Sequence, residues 1–353
     1  MPTTVGDIQV FMGPQAFGGA DDLLAPILEF IGRAKKRQNL MIAVQEIDHP
    51  DIARAIIDAR LRGVTIDLVL EQSYLLGAKR PTATEDSFAP GGKHEINRTL
   101  FNAILRSTTD VKVDFNPDIF HQKFMVLGNR VLTGSTNFTT TGVTKNLNHV
   151  VVINDAEVAN AFKKEFREIR EGRFGKFSVG HGPAPKEATV SGMRVKTLFA
   201  PDHGPEMEIM KQILKAQSRV VFACFTFSRS SGIDDALIAA HRNGIAIRGV
   251  LDRRQANQKW AAKLPLEEAG IEVTVAGGTG GLGKVHHKLM TIDDKITIFG
   301  SFNYTGPANK SNDENIVIVG DSEETDADAK ARQETIALAS RAEIDRIIAQ
   351  FGT

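Results

Sequence analysis

The chain has 353 residues, 42% hydrophobic and 24% charged, with 43 Lys+Arg against 43 Asp+Glu. That length predicts about two domain-sized units, with cores large enough to fold without staples. The single cysteine, Cys224, excludes an intramolecular disulfide, the balanced charge excludes a global basic field, and no apolar run is long enough to span a membrane. The start, Met1–Gln15, has neither a basic leader nor a long apolar run. No signal peptide is expected, and the location this predicts is cytoplasmic.

In chain order, Asn39–Glu46 reads as a buried strand. A helix follows with apolar positions Ile52, Ala55, Ile56 and Ala59, stopped by Gly63, and then the strand Val64–Glu71. A polar stretch bearing Pro and Gly, residues 78–93, interrupts the pattern before His121-Gln-Lys-Phe-Met-Val-Leu127, Gly134-Ser-Thr-Asn137 and Asn148-His-Val-Val-Val-Ile153. Residues 175–192 read as a linker. The same events then recur: strand Arg219–Thr226, a helix with Ala236, Leu237 and Ala240, a stop at Gly244, and strand Ile245–Asp252. His286-His-Lys-Leu-Met-Thr-Ile292, Gly300-Ser-Phe-Asn303 and Glu314-Asn-Ile-Val-Ile-Val319 close the second round. Asn137 to Asn148 and Asn303 to Glu314 are both eleven residues apart, whereas the helix stop lies 58 residues before His121 but 42 before His286. The difference assigns the first round an insertion at about 78–93, placed to cover or shape a site. Alternating strands and helices twice over predict an α/β fold of two pseudo-twofold-related units, residues 1–174 and 193–353.

Each round offers a His, a Lys two residues later and a Gly-Ser-x-Asn beyond. On a strand, positions i and i+2 share a face, so His121 projects with Lys123 and His286 with Lys288. Lys, Ser and Asn converging beside a His suit a phosphoryl group, with Ser135, Ser301, Asn137 and Asn303 as its donors and the His as nucleophile or acid.

His286-x-Lys288-x-x-x-x-Asp293 with Gly300-Ser301-x-Asn303 and Glu314 resembles the signature of the phospholipase D superfamily, and the first round resembles a degraded copy of it. The resemblance runs over residues 8–170 and 194–350 and looks most like bacterial nuclease-type members. It implies two α/β sandwich units sharing one active site at their interface, with no cofactor and no metal. One His attacks phosphorus to give a phosphohistidine, and the other protonates the leaving oxygen and then activates water. It also implies that the late carboxylate of one unit orients the His of the other, so that Glu314 holds His121, while Asn148 stands beside His286 and completes the phosphate site. A carboxylate raises imidazole basicity more than an amide does, which makes His121 the nucleophile and His286 the acid. Asp293 looks structural in this family. The first round lacks it and has the turn pair Gly128-Asn129 instead, so that unit is expected to be tightened rather than dead.

Blander readings hold elsewhere. His287 and His149 read as structural or exposed, and His181 and His203 as solvated. Gly278-Thr-Gly-Gly-Leu-Gly283 fits a dinucleotide fingerprint, but a strand rather than a helix follows, so it reads as a loop at the mouth of the site with Lys284 beside the substrate. The acidic run 321–328 reads as the cap of a C-terminal helix, and Arg229, Arg253 and Arg254 are candidates for a groove. The function expected is a metal-independent endonuclease on DNA or RNA, complete as a monomer, although a dimer is compatible. The alternatives are a phospholipase D-type hydrolase or phosphatidyltransferase on phospholipid, and a weakened phosphate-binding module.

Overall fold

The computed structural model describes residues 1–75, 92, 94–180 and 182–353. Most of the expected insertion at 78–93, and His181, lie outside these residues. The first half runs β1 (Thr3–Val5), β2 (Ile8–Gly13), α1 (Leu24–Gly32), β3 (Asn39–Val44), α2 (Pro50–Leu61), β4 (Thr65–Leu70), α3 (Glu95–Arg106), β5 (Asp110–Val113), β6 (Lys123–Leu127), β7 (Arg130–Gly134), α4 (Thr140–Thr144), β8 (Asn148–Asn154) and α5 (Ala156–Arg170). The second half runs β9 (Ala188–Val190), β10 (Met193–Ala200), α6 (Pro205–Leu214), β11 (Arg219–Cys224), α7 (Ile233–Arg242), β12 (Ala246–Asp252), α8 (Arg253–Ala256), α9 (Lys263–Glu268), β13 (Glu272–Ala276), β14 (Lys288–Ile292), β15 (Ile296–Gly300), α10 (Gly306–Lys310), β16 (Glu314–Val319) and α11 (Ala327–Phe351).

Each half builds one eight-stranded mixed sheet, and the orders correspond: β1-β2-β8-β7-β6-β3-β4-β5 and β9-β10-β16-β15-β14-β11-β12-β13. The strands joined through helices, β3-β4-β5 and β11-β12-β13, pair in parallel, because a crossover returns the chain in the same direction. The remaining neighbours are antiparallel. Register confirms the internal repeat: Val44 pairs with Lys123 and Leu70, as Cys224 pairs with Lys288 and Leu251. The short β9 lies within the stretch read as a linker and pairs with β10.

Helices α5 and α11 each lie against both sheets, and β7 approaches β15 directly. A T-shaped aromatic chain, Phe124 to Phe162 at 5.0 Å and Phe162 to Phe199 at 5.1 Å, carries one core from the first sheet through α5 to the second. Two further apolar clusters fill the outer faces beneath α1–α2 and α6–α7. α5 starts where Asp155 accepts from the Val158 amide, and α11 where Asp326 accepts from that of Ala329. The acidic run at 321–328 therefore contributes a helix cap, as its composition suggests. With the sheets back to back, the ends of β6 and β14 meet at one rim.

Candidate active site

The two signature histidines stand just before β6 and β14, on backbone held from the other half of the chain. The His121 amide donates to the Asp313 carbonyl at 3.0 Å, and the His286 amide to the Leu147 carbonyl at 2.8 Å. Carboxylates at matching ends of the second strands fix the preceding residues. Glu71 Oε2 accepts from the Phe120 amide at 2.7 Å, and Asp252 Oδ2 from the Val285 amide at 3.2 Å. These two positioning acids were not singled out in the sequence, although the strands that end in them were; their recurrence is the signal that would have found them.

The polar partners cross the interface between the two halves. His121 Nδ1 lies 2.7 Å from Glu314 Oε2, and Ser301 donates its hydroxyl to the same oxygen at 2.6 Å. His286 Nδ1 lies 2.9 Å from Asn148 Oδ1, which also accepts from Ser135 at 2.8 Å. Asn148 spends its amide hydrogens on the carbonyls of Gly142 and Asn146. Its Oδ1 is therefore an acceptor, and His286 must carry its proton on Nδ1. In both histidines Nε2 is thereby left to face the reaction centre. Ser135, Ser301 and Asn148, expected on phosphate, are fully buried, with their polar atoms committed to this scaffold. Their place is behind the histidines, a correction to direct phosphate contact.

The preceding glycines permit this arrangement. Gly134 and Gly300 sit at φ of +146° and +144°, where a Cβ would lie 2.3 Å from the His149 carbonyl and 2.2 Å from that of Asn315.

Burial dominates the electrostatics. It lowers the His121 pKa to about 4 despite the opposing pull of Glu314, and holds His286 well below its ordinary value with help from Lys288 and Lys123. Burial thus favours the neutral form of both imidazoles in the unliganded site. Lys288 is brought down to about 7, again chiefly by burial, and Lys123 well below its ordinary value. Lys123 Nζ rests on the His121 carbonyl at 2.7 Å and on Gln45 at 3.1 Å. Lys288 Nζ lies 2.9 Å from the His286 carbonyl and 3.3 Å from His286 Nε2.

The remaining site residues divide. Asn303 Oδ1 and Asn137 Oδ1 are buried without a partner among the described residues. Asn137 turns its amide toward Glu46 at 3.2 Å. Glu46, missed in the sequence, is raised to about 7, mainly by burial and then by Asp48. Asp293 is structural: at φ +55° it accepts from the amides of Gln217, Ser218 and Arg219, behind the His286 strand. In the first unit Gly128 takes the corresponding left-handed turn at φ +59°.

His149 and His287 are buried rather than exposed, and they pair across the interface. His149 Nε2 accepts from the Gly300 amide at 3.2 Å, so its proton sits on Nδ1, 3.1 Å from His287 Nδ1. His287 must then be protonated on Nε2, which faces Glu343 on α11 at 3.6 Å. The matching positions hold Asn315, donating to Gln122 at 2.7 Å.

Gly278 and Gly283, the ends of the glycine-rich segment, line an open cavity beside the site, as does Lys284. Among the described residues, one carboxylate group, Glu165, Glu168 and Asp202, brings oxygens within 4.8 Å of one another. Burial and acidic neighbours raise Glu165 well above its ordinary value, so this group relieves its charge by keeping a proton. No helix among the described residues is long and apolar enough to cross a membrane.

A family model described as cardiolipin synthase, PLD-like domain, matches residues 27–170 and 209–334, one range in each half. A phospholipase D of Rickettsia bellii is 34% identical over 160 residues, covering 43% of this chain and 76% of that protein. A mitochondrial cardiolipin hydrolase of Xenopus laevis is 33% identical over 113 residues, covering 32% of this chain and 52% of the relative. A phosphatidylserine synthase structure from Haemophilus influenzae superposes with a TM-score of 0.67 at 16% identity, covering 99% of this chain and 88% of that one. That last likeness shows the fold.

Proposed function

The chain belongs to the phospholipase D superfamily, and on that footing we propose that it is a metal-independent phosphodiesterase acting through a phosphohistidine, with a nucleic-acid strand as substrate. The observation that carries the chemistry is the unequal backing of the two histidines: Glu314 at 2.7 Å from His121, and Asn148 at 2.9 Å from His286. A carboxylate stabilises the imidazolium character that builds as His121 Nε2 bonds to phosphorus; an amide does so less. The P–O bond opposite His121 breaks, and His286 delivers its Nε2 proton to the leaving oxygen. The entering phosphodiester anion offsets the cost of charging His286. Water then attacks phosphorus, His286 takes its proton, and His121 is released. Lys123, Lys288 and Asn303 hold the phosphoryl oxygens, and Asp293 serves the fold.

One chain supplies both halves of this site, so a monomer is complete, with the divide between units at 175–192. The open mouth lined by Phe225, Lys284 and Arg254 favours a strand, since aromatic faces and cations track nucleic-acid backbones. A phospholipid head-group reaction is the second reading, favoured by the relatives named phospholipase D and cardiolipin hydrolase.

Wild type and His121→Ala are incubated with plasmid, single-stranded DNA and RNA in excess EDTA, beside phospholipid micelles with a head-group release assay. Cleavage of nucleic acid in EDTA, lost in the variant, supports the first reading. Head-group release with nucleic acid intact replaces it with the second. Inactivity on both overturns the enzymatic assignment.

A further inference from the structure

The repeat supplies an internal control for the surroundings of the site. Cations that stand in one unit only and gather at one place mark a difference between the two sides of the site. Register equates Arg253 with Gln72, Arg254 with Ser73, Lys284 with Ile119 and Lys145 with Ser311. At all four places the cation stands on one side of the interface, and the four side chains line a single cavity of about 730 Å³. Three come from the second unit, while Lys145 reaches in from the first, beyond α4.

The cavity adjoins the reaction centre across Phe225. Phe225, where the first unit has Gln45, forms the shared wall. Its ring lies 4.8 Å from that of His286 on one side, and Lys284 Nζ lies 5.1 Å from its centroid. The lining holds one carboxylate, Asp252, whose oxygens accept from the backbone amides of Arg254, Gln255 and Val285. Four cations against one carboxylate leave the lining with an excess of positive charge. In the first unit stands Glu46, where the second unit has Thr226, a further difference in charge between the two halves.

We propose that this cavity is a second phosphate subsite, and that it belongs to the leaving group. The assignment rests on the reading of His121 as nucleophile and His286 as acid. In-line displacement places the departing oxygen on the His286 side, so whatever departs extends past Phe225 into the basic cavity. The alcohol released thus carries a phosphate of its own, as the next nucleoside of a strand does. Each phosphate met by two or more cations gains charge-assisted hydrogen bonds, with a strong salt dependence.

The test compares three dinucleotides, TpT, TpTp and pTpT, with the products showing which nucleoside leaves. A terminal phosphate on the leaving nucleoside is expected to raise kcat/KM about tenfold over TpT, and one on the retained nucleoside to leave it nearly unchanged. In the Lys145→Ala, Arg254→Ala double variant, which removes two exposed cations, the first ratio falls to about one. A ratio already near one in wild type, a ratio that survives the double variant, or a gain confined to the retained nucleoside overturns the subsite. If none of the dinucleotides is cleaved, the nuclease reading fails separately, and calorimetry decides the subsite. Tighter binding of the dinucleotide with the extra phosphate, lost in the double variant, supports it; equal binding overturns it. Discrimination of cardiolipin from phosphatidylglycerol, with dinucleotides neither bound nor cleaved, overturns the nucleic-acid occupant.

Discussion

Glu314 and His121 are 193 positions apart and belong to different units, yet their side chains meet at 2.7 Å in a buried pocket. The contact makes the site a property of the interface, since neither unit alone orients its own histidine. Replacing Glu314 with Gln keeps the shape and removes the charge. Loss of such a supporting partner is expected to lower kcat about 10- to 100-fold. Because Glu314 raises the His121 pKa against burial, the variant's acid limb moves to lower pH. A kcat within twofold of wild type would remove Glu314 from the mechanism.

The pH profile of kcat/KM follows from groups in the free protein. His121, at about 4, carries a proton below that value and has no lone pair to offer, so the rate falls toward acid. Lys288, at about 7, loses its cation above that value, and Glu46, also about 7, gains an anion there. Both changes oppose an incoming phosphodiester, so the alkaline limb is steeper than one proton would make it. Glu46→Gln removes one of the two and is expected to make the alkaline limb shallower, leaving Lys288 and the proton that His286 must take up to act as the acid. An alkaline limb identical in wild type and Glu46→Gln would place Glu46 outside the phosphate's reach.

How much of this was legible in sequence follows from what repeats. The paired signatures, their equal spacings and the helix stops survive in both units, so the α/β repeat and the two His–Lys pairs were readable, whereas the places of Glu314 and Asn148 came only with the family resemblance. The direction of a hydroxyl was not. Ser135 and Ser301 occur where a phosphate donor is wanted, but β7 and β15 turn them inward onto Asn148 and Glu314. Glu46 escaped because its counterpart is Thr226, and chemistry present once leaves no pattern. His149 and His287 escaped for the opposite reason: they are neighbours in space and 138 residues apart in sequence.

That histidine pair makes a stability prediction. His149 and His287 are fully buried, and each satisfies the other at 3.1 Å. His149→Asn or His287→Gln alone breaks the pair, at an expected cost of about 1–3 kcal/mol. The double variant His149→Asn, His287→Gln copies the Asn315–Gln122 pair of the matching positions and is expected to recover most of that loss. Urea unfolding of the three variants reads the coupling. Strict additivity in the double variant would show that the pair does not act as a unit.

Asp293 turns one missing residue into a measurement. Its carboxylate collects the amides of Gln217, Ser218 and Arg219 together with the Ser218 hydroxyl, and these bonds hold its pKa below the ordinary value. A carboxyl depressed in the folded state stabilises above its unfolded pKa and loses that contribution as pH falls through the folded one. Asp293→Asn keeps a residue tolerant of the left-handed turn at φ +55° while removing the charge. At neutral pH the variant is expected to be less stable by about 1–2 kcal/mol. Below the folded-state pKa of Asp293 the two curves converge, because wild type then carries a neutral group as well. The first unit makes its turn with Gly128 and needs no such carboxylate, so the acid-dependent difference belongs to the second unit alone. Urea midpoints measured from neutral to acid pH that stay equally separated throughout would show that Asp293 acts through its shape rather than its charge.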